Sequence, residues 1–533
     1  MNEAGVLSSP YIYNKVYAET KKEKSELNKI TKTKIMKKLI FSVLLCCVAI
    51  VASAQVQRPK LVVGIVIDQM RWDYLYYYYD KFGEGGMKRL INEGFSCDNQ
   101  MLNYVPTVTG VGHASIYTGA GPATSGIASN DFRDGDKMVY CCDDPSVQGV
   151  GTTSKSAQMS PHYMLGTTIG DMLRQATDFK AKVFGVAIKD RAAILPAGHS
   201  ANGAFWYDKS VAGFVTSSYY MDKLPDYVVK FNKQNTMKKG YDPKVHADGV
   251  TVTFDMAEAI MKAEKLGQNG TTDMLCVSIS STDAISHQTG TWCSPGKENE
   301  EVFLTLDRDI KKFFDALDAQ VGKDGYLLFL TADHAGTHNP NTQREHKLVG
   351  GSWDKTATLR QVNEALSKKF GVEGKYFNAS VGFSLYLDHA FLAQNNLDIE
   401  AVKAAAIAEL KKVPELITAV DYEKAAVAAL PQWIRERIIN GYYKGRSGDI
   451  YAVAKANYFD WAVKPGFYGS THGSWNPADT HIPLIFMGWN VKPGKTNRLT
   501  NMVDVAPTVC AMLHVQAPDA STGNPIVEVV DQK

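Results

Sequence analysis

The chain has 533 residues, room for one large α/β domain with insertions or for two or three ordinary domains, and 45% of them are hydrophobic against 21% charged. That balance excludes an intrinsically disordered chain. Lys and Arg number 58 against 56 Asp and Glu, so there is no broad positive field for nucleic acid or an anionic membrane surface, and no nucleic-acid-binding scaffold is expected.

The first element is the apolar run Leu39 to Ala54, preceded by Lys37 and Lys38 and closed by Ala52-Ser53-Ala54. It is shorter than the roughly 20 residues of a spanning helix and ends in small residues, so 36–54 reads as a signal peptide cleaved near Ala54. The mature protein, 55–533, is then expected to be periplasmic or secreted, with no membrane span. Met36-Lys-Lys is an ordinary signal start, so the Lys-rich stretch 1–35 is expected to be disordered and to precede the translated start. Six cysteines follow the signal, at 97, 141, 142, 276, 293 and 510. An oxidising compartment permits disulfides, but their density is far below that of a disulfide scaffold, and no CxxC pair suggests a cysteine metal site.

Lys60 to Asp68 is a β-branched run ending in a carboxylate, as a buried parallel strand does. Asp273 to Asp283 and Tyr326 to His334 repeat the design, each an apolar strand with acidic or imidazole groups at its C-terminal end. A helix is expected between them over Glu300–Leu317, where Val302, Leu306, Ile310 and Phe314 recur every four residues, and another beginning near His113. This alternation predicts a mostly parallel central sheet sandwiched by helices, with its crevice beyond the strand ends. Two stretches differ in texture: 383–453, Ala- and Lys-rich, is expected to be an inserted cap, and 200–241, rich in Tyr, Lys and Asp, an insertion at the mouth of the site.

The ligand-type residues gather at those strand ends: Asp68, the pair Asp283 and His287, the adjacent Asp333 and His334, and His472 in Ser470-Thr-His-Gly-Ser. Three carboxylates and three imidazoles suit two zinc ions, each left with an open position. Any one pair alone equally suits a helix cap and a surface histidine; the joint occurrence points to metal. Thr109, flanked by Gly110 and close before the expected helix, is a candidate nucleophile, since helix amides and nearby metals favour an alkoxide. On composition alone, Thr107 and Thr109 equally suit capping hydroxyls.

The order Asp68, Thr109-x-x-x-His113, Asn130-Asp131, Asp283-x-x-x-His287, Asp333-His334 and His472-Gly473 resembles the alkaline phosphatase superfamily through nearly the whole mature chain. Lys189-Asp-Arg191, with Asn130, resembles its phosphate-irrepressible branch. The resemblance implies an alkaline-phosphatase-like α/β fold and two zinc ions. One would be held by Asp283, His287 and His472, the other by Asp68, Asp333, His334 and the Thr109 oxygen. It further implies that Asn130, Lys189 and Arg191 bind the phosphoryl group of small phosphorylated metabolites, hydrolysed through a phosphothreonine. Two departures stand out: the box reads Thr-Gly-Val-Gly-His without the usual proline, and Ser286 precedes His287 where glycine is common. His481 competes with His472 but leads into a buried strand. The alternatives are a nucleotide pyrophosphatase or phosphodiesterase, which usually lacks the Lys-x-Arg element, a sulfatase suggested by Cys293-Ser-Pro-Gly-Lys297, and a non-catalytic envelope binding protein. The natural substrate and oligomeric state are not legible.

Overall fold

Leu61–Ile67 is apolar without interruption, and every one of its residues is buried, which requires cover on both faces. In the computed structural model, which describes residues 10–53 and 57–531, it is the strand around which a ten-stranded sheet is built. In chain order the strands are β1 (Leu61–Ile67), β2 (Phe95–Cys97), β3 (Gly149–Val150), β4 (Val183–Ala187), β5 (Gly203–Asp208), β6 (Gly213–Ser217), β7 (Asp273–Ile279), β8 (Tyr326–Thr331), β9 (Leu484–Gly488) and β10 (Gly494–Thr496). In space they run β10-β2-β9-β8-β1-β7-β4-β5-β6-β3.

The five strands β8, β1, β7, β4 and β5 are mutually parallel, and the flanks are mostly antiparallel. Leu61 lies opposite both Asp273 and Tyr326, so β1, β7 and β8 start in step and end in step. Whatever follows Ile67, Ile279 and Thr331 therefore emerges at one level. The flanking helices that matter for this edge are α2 (Thr109–Thr118), α3 (Asp190–Ala197), α4 (Ser281–Thr289) and α5 (Glu298–Val321). In α5 the spacing by four is realised, with Val302, Leu306, Ile310 and Phe314 all buried against the sheet. It outruns the expected 300–317, because Glu298, Glu300 and Glu301 occupy a first turn that favours negative charge.

Two expectations about the insertions change. Residues 200–241 supply β5 and β6 to the central sheet, with all six residues of Gly203–Asp208 buried; the polar residues around that short run disguise it. The stretch 383–453 shares its sheet with residues before it, since Ser384–Leu387 pairs with Phe377–Val381. These strands, with Leu416–Asp421 and Ile450–Ala454, form a four-stranded sheet, and Trp353, Leu385, Val402 and Tyr451 belong to its own apolar core. The six cysteines from Cys97 to Cys510 form no disulfide.

Met1–Gln57 is a separate unit, described from Pro10 to Ser53 as one helix, α1. Where disorder is expected over 1–35, the part from Pro10 is helical; its many Lys and Glu residues are good helix formers. The cleavage point at Ala54 lies outside the described residues. Among the described residues, no helix is long and apolar enough to cross a membrane.

Helix α2 packs directly over the first strand. A Cβ at Gly64 would stand 2.4 Å from the Tyr117 hydroxyl of α2 and 2.5 Å from Phe329 of β8. Gly64→Val is expected to destabilise the protein by about 1–3 kcal/mol through overpacking, read as a lower apparent melting temperature.

Candidate metal centre

Asp68 directly follows β1, Asp283 lies in the first turn of α4 just beyond β7, and Asp333 and His334 come two and three residues after β8. The in-step sheet edge thus delivers three carboxylates and an imidazole to one place. Each carboxylate uses one oxygen for the protein. Asp68 Oδ2 and Asp283 Oδ2 both accept from Lys189 Nζ at 2.6 Å. Asp333 Oδ1 accepts from the backbone N–H of Gln69 (3.2 Å) and of His334 (2.9 Å). The second oxygens, Asp68 Oδ1, Asp283 Oδ1 and Asp333 Oδ2, are buried and make no hydrogen bond, and His334 Nε2 is in the same position.

The three histidines follow the same rule. Their Nδ1 atoms meet backbone carbonyls: His287 that of Ser470 (2.8 Å), His334 that of Ala335 (3.0 Å) and His472 that of Thr107 (2.7 Å). A carbonyl only accepts, so each Nδ1 carries a proton, and a neutral ring then presents its Nε2 lone pair to the centre. His287 Nε2 and His472 Nε2 face each other at 3.3 Å, and Asp283 Oδ1 lies 3.1 Å from the first and 3.6 Å from the second. His334 Nε2 lies 3.6 Å from Asp68 Oδ1 and 3.5 Å from Asp333 Oδ2. With the imidazoles neutral, the atoms that converge here are acceptors, several of them without a hydrogen bond. A buried polar atom without a partner costs about 1–3 kcal/mol, and the species that satisfies several at once is a cation. Asp68, Asp333 and His334 form one group able to hold a metal ion, and Asp283, His334 and His472 another; His287 joins Asp283 and His472 by the distances above.

The electrostatics agree. Burial drives the Asp68 carboxyl well above the usual carboxylate range, and Asp283 and Asp333 push it the same way. Burial acts on Asp283 too, but His287 and Lys189 outweigh it and hold that carboxyl well below its ordinary value. Burial pushes the His334 imidazole down to about 3, keeping it neutral.

Thr109 is buried and stands at the first position of α2, which begins there rather than near His113. The next amide, of Gly110, donates to Asn130 Oδ1 at 2.7 Å. Lys189 caps α3 and Arg191 lies in its first turn. Since α2 and α3 pack against each other, two positive helix ends converge on the centre. Lys189 is no solvated partner of Asp190: its side chain is 8% exposed, and Asp190 instead accepts from the Tyr140 hydroxyl at 2.5 Å. Arg191 Nη1 donates to the same hydroxyl at 3.0 Å. All ten residues singled out from the sequence are thus gathered around one edge of the sheet. His481 is not among them; its Nε2 meets the Asp98 carbonyl at 2.9 Å and its ring stacks on Trp72.

Sequence reasoning missed the residues that hold the ligands. The Thr107 hydroxyl accepts from the Gly473 amide at 2.9 Å and donates to the Ser474 carbonyl at 3.1 Å, clamping the loop of His472 on both sides. Asp479 grips that loop through the Ser474 amide (2.8 Å) and ties it to Thr337 (2.5 Å). His113 Nδ1 lies 2.9 Å from the Thr109 carbonyl and 3.3 Å from Asp333 Oδ2. Gly112 permits the approach of α2: a Cβ there would stand 2.3 Å from the Asp333 carbonyl oxygen. Only the Thr-x-Thr and Gly-x-Gly repeats hinted at these roles.

A family model described as type I phosphodiesterase / nucleotide pyrophosphatase matches residues 62–475. A relative from Myroides odoratus that carries the name calcium-transporting ATPase is 42% identical, with 92% of this chain and 98% of that one covered. Alkaline phosphatase PafA of Elizabethkingia meningoseptica is 40% identical, over 89% of this chain and 95% of its own. The crystal structure of wild-type PafA matches with a TM-score of 0.84 at 40% identity, covering 89% of this chain and all of that one at 100%. The chain belongs to this family and, within the alkaline phosphatase superfamily, to its PafA-like branch; it is an enzyme, an alkaline phosphatase.

Two substitutions test the supports without touching a ligand. Thr107→Val keeps the shape but frees the His472 loop, and is expected to weaken divalent-metal affinity about 10–100-fold, the usual cost of losing an outer-shell partner, by chelator competition. Gly112→Ala forces α2 away from Asp333 and is expected to lower the metal retained after dialysis, measured by elemental analysis.

Proposed function

We propose that this alkaline phosphatase hydrolyses phosphate monoesters through a phosphothreonine at Thr109, releasing inorganic phosphate, at a centre of two zinc ions. The observation that carries the reading is the convergence of buried, donor-less acceptor atoms beside a helix that begins at Thr109. Asp283, His287 and His472 would hold one ion, and Asp68, Asp333, His334 and the Thr109 oxygen the other. When bound, such ions supply Lewis acidity that lowers the pKa of a hydroxyl and offsets charge on the reacting oxygens.

The chain's own residues provide the rest. Thr109 gives up its hydroxyl proton to solvent and its Oγ1 forms a bond to phosphorus as the ester P–O bond breaks, the departing oxygen taking a proton from water; water then attacks phosphorus, the P–O bond to Thr109 breaks and Oγ1 regains a proton, releasing inorganic phosphate with retention at phosphorus. The positive end of α2 favours the Thr109 alkoxide, and His113, bonded to the Thr109 carbonyl, fixes its backbone. Asn130 is held beside this turn through its Oδ1, which leaves its NH2 for a phosphoryl oxygen. Lys189 and Arg191 stand at the second positive helix end and favour a dianionic monoester over a diester, which carries less charge on its non-bridging oxygens. Release of a terminal phosphate from ATP, the chemistry in the Myroides relative's name, is also phosphoryl transfer to water. Export belongs to the same reading: with 36–54 as a signal peptide cleaved near Ala54, the enzyme would act on small phosphorylated metabolites in the periplasm or outside the cell.

Zinc-loaded mature protein is expected to turn over an aryl phosphate monoester faster than the matching diester. Thr109→Ala is expected to lower kcat on the monoester by about 10⁴-fold or more, while elemental analysis still finds metal. Preference for the diester would move the chain to the diesterase reading. Removing metal with a chelator is expected to abolish turnover, and to lower the melting temperature because the ligand oxygens lose their cation.

A further inference from the structure

The crevice at the carboxyl edge of the sheet continues past the metal centre. Beyond Lys189 and Arg191, at the ends of β4 and β5, it opens into a cavity of about 470 Å³ whose walls include Tyr140, Tyr207, Asp208, Lys209 and Lys244. A space of that volume is about 10 Å across, the scale of a hexose bearing a phosphate.

The acids of this cavity are already engaged. Asp208 accepts from the Thr152 hydroxyl at 2.7 Å and the Ser210 amide at 2.8 Å, and Asp190 from Tyr140 at 2.5 Å. Its donors are far less committed. Lys209 and Lys244 share one carboxylate, Asp242, at 3.7 and 3.9 Å. A cavity with two loosely paired ammonium groups beside Arg191 is suited to an anion with several oxygens.

Its position says which part of a substrate would reach it. The turn carrying Asp242 and Lys244 rests on α4, the helix of Asp283 and His287, through Pro243 O and the Ser281 hydroxyl at 3.3 Å. Under the proposed function the attacking Thr109 oxygen belongs with Asp68, Asp333 and His334, so an oxygen departing in line with it would leave on the side of Asp283 and His287. We infer that this cavity is a second anion subsite, which receives a phosphate carried by the leaving group and so selects sugar bisphosphates over the corresponding monophosphates. The inference rests on the proposed hydrolysis for its orientation, and on the cavity for its chemistry.

The test uses the full mature chain and the pair Lys209→Glu, which is exposed, with Lys244→Glu, which is half-buried. Fructose 1,6-bisphosphate and fructose 6-phosphate are compared by kcat/KM at low salt, and the bisphosphate is titrated calorimetrically into the Thr109→Ala protein with and without the charge reversal. The wild-type chain is expected to favour the bisphosphate. Reversal is expected to lower that preference, and to weaken binding, by about tenfold, with added salt acting in the same direction. Binding that weakens on reversal without turnover of either sugar would sustain the subsite while removing the hydrolytic reading. Turnover of both sugars at a ratio, and binding, that reversal leaves unmoved would overturn the subsite alone.

Discussion

Burying Asp68, Asp283 and Asp333 at the ends of adjacent strands puts three carboxylates where water cannot screen their repulsion. Much of the surrounding architecture answers that charge. Lys189 lies between two of the carboxylates, two backbone amides hold the third, and the positive ends of α2 and α3 are turned toward them. What these groups do not neutralise is left on a defined set of oxygens, and those oxygens face imidazole lone pairs.

The ligands achieve this by a division of labour within each side chain. One atom of each group is fixed to the protein and the other is offered to the centre, so orientation is set before any cation arrives. The supports are themselves supported: Thr107 and Asp479 both brace the loop of His472, and Gln69, with a left-handed φ of 61°, turns its amide onto Asp333. A non-glycine residue in that conformation costs about 1–3 kcal/mol and persists where its surroundings impose it.

The edge of a parallel sheet gives this arrangement room to vary. The metal groups occupy the ends of β8, β1 and β7, the phosphate-type cations the end of β4, and the basic cavity the end of β5. Chemistry and selectivity therefore sit side by side on one scaffold, so changes at Lys209 or Lys244 alter what enters without disturbing the ligands.

The strands β1, β7 and β8 and the acids that end them were legible in the sequence, because an apolar run closed by a carboxylate is a local pattern that burial enforces. So were the six metal-type residues and Thr109, whose grouping rests on a shared order along the chain. The two strands inside 200–241 were hidden, since six and five buried residues among tyrosines and lysines make too short a signal. The tertiary structure alone decided that β1, β7 and β8 run in step, that Lys189 turns toward Asp68 rather than Asp190, and that Thr107 and Gly112 secure the ligands. These are contacts between residues hundreds of positions apart or across two packed elements; sequence periodicity reports which face is buried, and only packing decides what it is buried against.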